Sequence, residues 1–162
     1  MAQTVHLFLK ANGEDVKGES TQLSEGRENS IECTYFEAAM DSGREVQSGM
    51  STARRQHKPL VIKKRIDKST PLISKALTKH SKIDGEFKFY RPNPAGDGTT
   101  QHFYTVKITN GRVHGQKQYS EQAHANADHA APPMEEVTFV FQTIMWRYED
   151  GGVEHEDSWQ NG

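Results

Sequence analysis

The sequence has one cysteine and no long apolar run. Cys33 by itself cannot form an intramolecular disulfide or a pair of metal-binding thiolates, and we expect it to be a small buried residue. No stretch of about 18 apolar residues is present to cross a bilayer. The start, MAQTVHLFLK, lacks the features of a signal peptide. We therefore expect synthesis in the cytoplasm and no membrane partner.

Recognised catalytic and cofactor motifs are also missing. The sequence contains no phosphate-binding Gly-rich loop, no GxSxG and no dinucleotide fingerprint. The closest histidine cluster, HANADH at 124–129, does not have the ligand spacing of a zinc site. We predict no enzymatic activity, no metal and no cofactor. The alternative is a metal-dependent barrel enzyme whose ligands converge from the strands, with four candidate histidines: His6, His102, His114 and His155.

Neither sign of charge dominates the chain. The 20 basic and 22 acidic residues give a net charge of -2, which argues against a dedicated nucleic-acid binder. The distribution is uneven, because basic residues gather between Arg54 and Lys68 and acidic ones between Glu149 and Asp157. The basic and the acidic stretch are complementary in charge. A nucleic-acid-binding barrel is a further alternative, in which RRQHKPLVIKKR contacts phosphates and Phe87 and Phe89 stack on bases.

Large apolar side chains are present in patterns typical of strands. Seven Phe, five Tyr and two Trp provide material for a core in a chain of 162 residues, which fits a single domain, 1–162. Apolar residues alternate with polar ones in segments such as VHLFLK, LVIKKRI, GEFKFYR, HFYTVKITN, EVTFVF and VEHEDSW. Many short strands joined by turns favour a mainly β fold, a small antiparallel barrel or two packed sheets.

The segment DKSTPLISKALTKH predicts one short lateral helix around residues 70–80. Thr70 or Ser69 is suited to cap it, and Pro71 suits its first position. Four apolar residues fall on one face and are expected to pack on the sheet: Leu72, Ile73, Ala76 and Leu77.

Three further features are predicted from local patterns. The apolar residues expected to face inward have odd numbers up to Phe141 and even numbers from Ile144 onward. This change indicates a bulge or bend near Gln142 and Thr143. The polar stretches Asp41 to His57 and Tyr119 to Pro133 are predicted to be loops. In the strand after Pro59, Leu60, Ile62 and Ile66 are expected to face inward, with the basic residues outward.

Several segments, taken in order, resemble the hemolysin-coregulated proteins, the tube proteins of type VI secretion systems. HKPLVIKKRIDKSTPLISKAL is similar to the family's strand–helix pattern, and FKFYRPNPAGDGTTQHFYTVKITNGRV to its paired central strands. EVTFVFQTIMWRYEDGGVEHEDSW resembles the family's last strands, and VHLFLKANGEDVKGES its first strand and turn. The resemblance covers nearly the whole chain.

The resemblance implies a fold and an assembly. The fold is an antiparallel β-barrel of two packed sheets with one lateral helix, and six copies form a ring. Stacked rings make a hollow tube inside a contractile sheath on a baseplate, with a spike protein at the tip and effector proteins in the lumen. Export then needs no signal peptide. A phage tail-tube protein shares this architecture and is the related alternative.

Two groups of residues are predicted to serve assembly. By resemblance, the long loop contacts neighbouring subunits or rings, with these candidate residues: Arg44, Glu45, Arg54, Arg55, Gln56 and His57. A ring needs two different patches that fit one another. We expect the basic and acidic stretches to meet between copies, with these candidates: Lys63, Arg65, Glu154, Glu156 and Asp157.

Overall fold

The computed structural model describes residues 3–44, 47–121 and 131–159, and these residues form antiparallel strands and one α-helix. The strands are Thr4–Ala11 (β1), Glu14–Val16 (β2), Ile31–Glu37 (β3), Met40–Arg44 (β4), Ser51–His57 (β5), Leu60–Arg65 (β6), Ile83–Pro92 (β7), Thr100–Tyr119 (β8), Met134–Val140 (β9), Thr143–Tyr148 (β10) and Val153–Ser158 (β11). The helix is Thr70–Thr78 (α1). The predicted fold class, mainly β with one lateral helix, is confirmed.

The main sheet closes on itself. Its strand order is β11-β10-β8-β7-β1-β3-β6-β9, β2 pairs with β1, and β9 returns to pair with β8. Six strands, from β8 through β7, β1, β3 and β6 to β9, therefore form a closed ring without a free edge. Within the described residues, β4 and β5 form a separate two-stranded sheet, and β11 lies at the end of the main sheet.

The length of β8 makes this closure possible. This strand of 20 residues pairs with β10 near Thr109 and with β9 from Arg112 onward. The chain leaves β9 at Val140 and starts β10 at Thr143, so the bend predicted near Gln142 and Thr143 is confirmed. Gly111 lies at the change of partner, where a Cβ would come within 2.6 Å of the Val140 carbonyl oxygen.

The core fills the space inside the closed sheet. Residues of alternating parity point inward from the strands, including the fully buried Leu7, Phe87, Ile108 and Phe139. This alternation is the sequence pattern from which the strands were predicted, because successive side chains of a strand point to opposite faces. Ile66 is an exception: it was expected to face inward, but it lies beyond the end of β6 and is exposed.

The helix packs on the sheet through a narrower stripe than predicted. Ile73 and Ala76 are buried, and Leu77 packs against the core while partly exposed. Leu72, which was predicted to be buried, is 42% exposed. The buried stripe is centred on Ile73, and a neighbouring residue is rotated by about 100° around the helix axis, so Leu72 turns away from the sheet.

The segment predicted to be a loop from Asp41 to His57 is instead a hairpin. Met40 pairs with His57, Asp41 with Gln56 and Ser42 with Arg55, and residues 47–48 lie in a turn. The hairpin lacks apolar alternation because it belongs to a separate sheet and contributes no strand to the closed core. Most of the second predicted loop, including HANADH, falls in 122–130, outside the described residues.

Candidate functional site

The β4–β5 hairpin is fastened to the last strand by one carboxylate. Asp157 of β11 accepts hydrogen bonds from the Arg55 guanidinium at 2.7 and 2.9 Å, and its Oδ2 lies 2.7 Å from His57 Nε2. Arg55 also donates to the Ser158 carbonyl oxygen. We call Arg55, His57 and Asp157 the Asp157 clasp. It joins the predicted stacking segment to the acidic C-terminal stretch within one chain.

Aromatic rings surround the His57 side chain, which is only 4% exposed. The rings of Phe141 and Trp159 meet it edge to face, with centroids 5.5 and 5.4 Å away, and Trp146 lies roughly parallel at 6.1 Å. The Trp159 indole N–H donates to the Phe141 carbonyl oxygen at 2.8 Å. The imidazole therefore has a polar contact on one side and an apolar wall on the others, which fixes the base of the hairpin.

The clasp changes the acidity of its carboxyl group. Hydrogen bonds from Arg55 and then His57 lower the pKa of Asp157 to about 2, against a smaller opposing effect of burial. The same hydrogen bond raises the pKa of Arg55. A carboxylate that accepts such bonds is stabilised in its charged form. The Asp157 carboxyl group is therefore fully ionised at neutral pH.

The other predicted assembly residues take no part in the clasp. Arg54 and Gln56 are exposed on β5. Arg44 is described only as a backbone partner of Ser51, and Glu45 lies outside the described residues.

Among the predicted charge partners, only Asp157 meets the basic stretch within the chain. The Lys63 ammonium sits 4.9 Å from the centre of the Tyr35 ring, and Glu154 accepts from Arg147 at 3.2 Å. Arg65 and Glu156 are exposed and form no ion pair with the described residues. Whether these charges join copies of the chain stays a prediction.

A buried ion pair was missed by the sequence analysis. Lys64 of β6 and Glu135 of β9 are directly opposite in register, both are fully buried, and the Lys64 ammonium donates to the Glu135 carboxylate. Thr70 at the start of the helix donates to the same carboxylate at 2.8 Å, and Gln116 of β8 does so at 2.8 Å. These contacts tie the helix to three strands.

Asp67 completes this network at the entrance to the helix. Its Oδ1 lies 3.0 Å from Lys64 Nζ and accepts from the Ser69 backbone at 2.9 Å. Burial acts to raise the pKa of Asp67, but hydrogen bonds from Ser69 and Lys64 outweigh it and lower the pKa. The strand pattern already indicated that Lys64 faces inward, because it follows Leu60 and Ile62 at intervals of two residues and these two side chains are buried.

The described residues contain no group of three or more potential metal ligands and no helix that is apolar and long enough to cross a membrane. Two depressions lie on the outer face of the sheet, with volumes of about 590 and 620 Å³, and both are bordered by Lys107 and Thr109. Their walls carry charges of both signs, among them Lys82, Glu86 and Glu156. Apolar residues such as Phe8 and Val16 also line the first depression, so this face is a mixed surface.

Comparisons with known proteins agree with one another. Residues 8–148 match the family model described as "Type VI secretion system effector, Hcp". The chain is 32% identical over 149 residues to the "Major exported protein" of Pseudomonas aeruginosa, covering 91% of this chain and 84% of that protein.

Solved structures give the same answer for the fold. The Hcp1 protein from the E. coli EAEC 042 pathovar, in a mutant form, superposes with a TM-score of 0.82 at 30% identity, covering 98% of this chain and 99% of the other. The secreted protein Hcp3 from Pseudomonas aeruginosa has a TM-score of 0.72 at 23% identity, with 98% and 99% coverage, and supports the fold alone.

Proposed function

This chain belongs to the Hcp family of type VI secretion proteins, and we propose that it is a structural subunit of the secretion tube. Family membership confirms the prediction of a type VI secretion protein rather than an enzyme, and the similarity to an exported protein supports secretion. In the proposal, six copies form a ring and rings stack into a hollow conduit.

The observation that carries the ring proposal is the hairpin outside the closed sheet. The sheet is complete without β4 and β5, and the Asp157 clasp holds the hairpin at its base. Apart from the clasp residues, the hairpin offers exposed side chains, including Arg54, Gln56 and Met50, which is 68% exposed. An element that the core does not need and that presents exposed groups is suited to contact a neighbouring copy.

The charged residues supply the second part of the argument. A ring requires a heterologous interface, in which one patch meets a different patch on the next copy. Arg65 on β6 and Glu156 on β11 are exposed charges of opposite sign on different strands of the sheet. Together with Lys63 and Glu154, they are the residues that we propose for this interface.

We extend the proposal to the partners of the tube. The stacked rings lie inside a contractile sheath on a baseplate, a spike protein caps them, and effector proteins travel in the lumen. In this proposal the protein is made in the cytoplasm and leaves with the spike. The support for these partners is the family membership, and the mixed charges of the outer sheet face are compatible with contact to hydrophilic protein surfaces.

The native mass of the purified protein at several salt concentrations tests the proposal. A discrete species of six chains of 18.3 kDa at low salt, dissociating as salt rises, is the expected result, because exposed charge pairs are screened over about 10 Å at 0.1 M salt. A monomer at every salt concentration and at high protein concentration would remove the ring. The fold and the family would stand in that case.

The alternative functions gain no support from the structure. The nucleic-acid alternative used Phe87 and Phe89 to stack bases, but Phe87 is fully buried and Phe89 packs against the core. A phage tail-tube protein shares the architecture, yet the matching family is the type VI one.

A further inference from the structure

His6 is a fully buried histidine on the outer face of the sheet. Leu7 and Leu9 point into the core, whereas His6 has the opposite parity and would be exposed if nothing covered it. The cover is the segment 17–30, which links β2 to β3 and includes a short 3-10 turn at Ser24–Gly26. We call the segment 17–30 the outer flap.

The hydrogen bonds of His6 hold both ends of the flap. His6 Nδ1 lies 2.9 Å from the Ser30 hydroxyl and 3.3 Å from the Ser20 hydroxyl. The other ring nitrogen, Nε2, is buried and has no hydrogen-bond partner among the described residues. A neutral imidazole tolerates this arrangement, whereas a protonated one carries N–H groups on both nitrogens and leaves a buried, charged donor unpaired.

Charged groups on the flap, on β3 and on β7 also lie near His6. The flap contributes Arg27, which is buried with its guanidinium 4.7 Å above the Tyr90 ring, and Tyr90 meets the His6 ring edge to face at 5.5 Å. On β3, the Glu32 carboxylate accepts from Thr21, and on β7 the Lys88 ammonium lies over the Phe8 ring.

Burial, followed by Arg27, lowers the pKa of His6 to about 4, and the opposing effect of Glu32 is smaller. On the other side of Tyr90, the stacked ring of His102 also has a lowered pKa, because of burial.

We propose that the outer flap is an acid-releasable cover, which neutral His6 holds against β1 and β7 and which protonation of His6 releases. Two of the other flap tethers, the hydrogen bonds of Glu19 and Thr21, are exposed, and two are partly buried, from Arg27 to the Thr4 hydroxyl at 3.3 Å and from the Tyr90 hydroxyl to the Glu25 carbonyl oxygen at 3.4 Å. The closed sheet does not depend on the flap, since its core lies on the opposite face of β1. The proposal is independent of tube assembly.

Linkage fixes the direction and size of the effect. In the closed form the His6 pKa is about 4, and in the opened form it returns to its ordinary 6.5. Protons therefore bind preferentially to the open form, and opening becomes easier as the pH falls through 6.5 toward 4. The ratio of open to closed flap should rise about 20-fold between pH 7 and pH 5.

Hydrogen exchange of the full chain tests this proposal. Protection factors of amides in 17–30, corrected for the intrinsic exchange rate, are measured at pH 7, 6 and 5 for the native protein, His6→Gln and His155→Gln. Gln cannot gain a charge, and His155 lies far along the sheet on β11, stacked on Trp146. We expect protection of the flap to fall about 20-fold in the native protein and in His155→Gln, and to stay constant in His6→Gln.

Three results would overturn the proposal. They are flap protection that does not change with pH in the native protein, an equal fall of flap protection in His6→Gln, and a parallel loss of protection in all strands. If His6→Gln does not fold, an NMR titration of His6 in the native protein decides. A pKa near 4 with concerted shifts of flap amides supports the cover, and a pKa near 6.5 contradicts it.

Discussion

His57 and Asp157 are 100 residues apart in the sequence, yet His57 Nε2 lies 2.7 Å from Asp157 Oδ2. Their contact makes the hairpin and the last strand one unit. It also brings together two groups that were predicted separately, the stacking loop and the acidic stretch. Consequently the hairpin that we propose for assembly has a fixed base, and its distal part is the part that we propose to meet a neighbouring copy.

Asp157→Asn should loosen the hairpin. The substitution removes the charge that Arg55 and His57 bind, and we expect the free energy of unfolding to fall by about 1 to 2 kcal/mol at pH 7. Because the pKa of Asp157 is depressed to about 2, its contribution is complete above the ordinary value near 3.8 and is lost as the pH falls through about 2.

Chemical denaturation at pH 7 and pH 2 measures this difference between the native protein and Asp157→Asn. The difference should shrink at pH 2. Glu156→Gln on the neighbouring exposed residue is the control and should change stability by less than about 0.5 kcal/mol. Equal effects of the two variants would contradict the clasp.

The stability of the protein should depend strongly on the helix residue Ile73 and only weakly on Leu72. Ile73→Ala deletes a fully buried side chain and should cost about 2 to 5 kcal/mol, whereas Leu72 is 42% exposed and Leu72→Ala should cost less than about 1 kcal/mol. Urea unfolding of both variants provides the measurement. A larger loss for Leu72→Ala would show that the helix is rotated from its position here.

Breaking the Lys64–Glu135 pair should be among the costly single changes. Lys64→Met leaves the fully buried Glu135 carboxylate without its ammonium, and we expect a loss of about 3 to 5 kcal/mol. The double variant Lys64→Met with Glu135→Leu should recover part of this loss, since no unpaired charge remains. Thermal or urea unfolding measures both, with Arg65→Met as the exposed control; a double variant less stable than Lys64→Met would refute the reasoning.

Charge reversal should separate assembly from folding. Arg65→Glu should reduce the ring population at low salt while leaving the melting temperature nearly unchanged, because Arg65 is exposed and unpaired among the described residues. If Glu156 is the partner, adding Glu156→Arg should restore the ring. Native mass spectrometry gives the readout, and a ring population unaffected by Arg65→Glu would exclude Arg65 from the interface.

Much of the fold follows from local pattern. Alternation located the core strands, Pro71 located the start of the helix, and the parity change located the break between β9 and β10. Ser69 stands at the predicted N-cap position, but its side chain makes no capping hydrogen bond. The hairpin escaped notice because a strand that packs on no core has no apolar period. Lys64 was counted only as part of the basic stretch, and its buried pairing could not be predicted because the strand that carries Glu135 is distant in the sequence.

By itself, the sequence determined the positions of the helix and of the strands that pack on the core, the mainly β class and the family, since these depend on residues close together in the chain or on their order. Tertiary structure alone decided that β9 closes onto β8, that Lys64 and Glu135 form a buried pair, that a flap covers His6, and that Asp157 binds Arg55 and His57. The physical reason is that each of these relationships depends on strand pairing or on contacts between distant segments. Local periodicity specifies which face of a strand is apolar, and not which strand lies beside it.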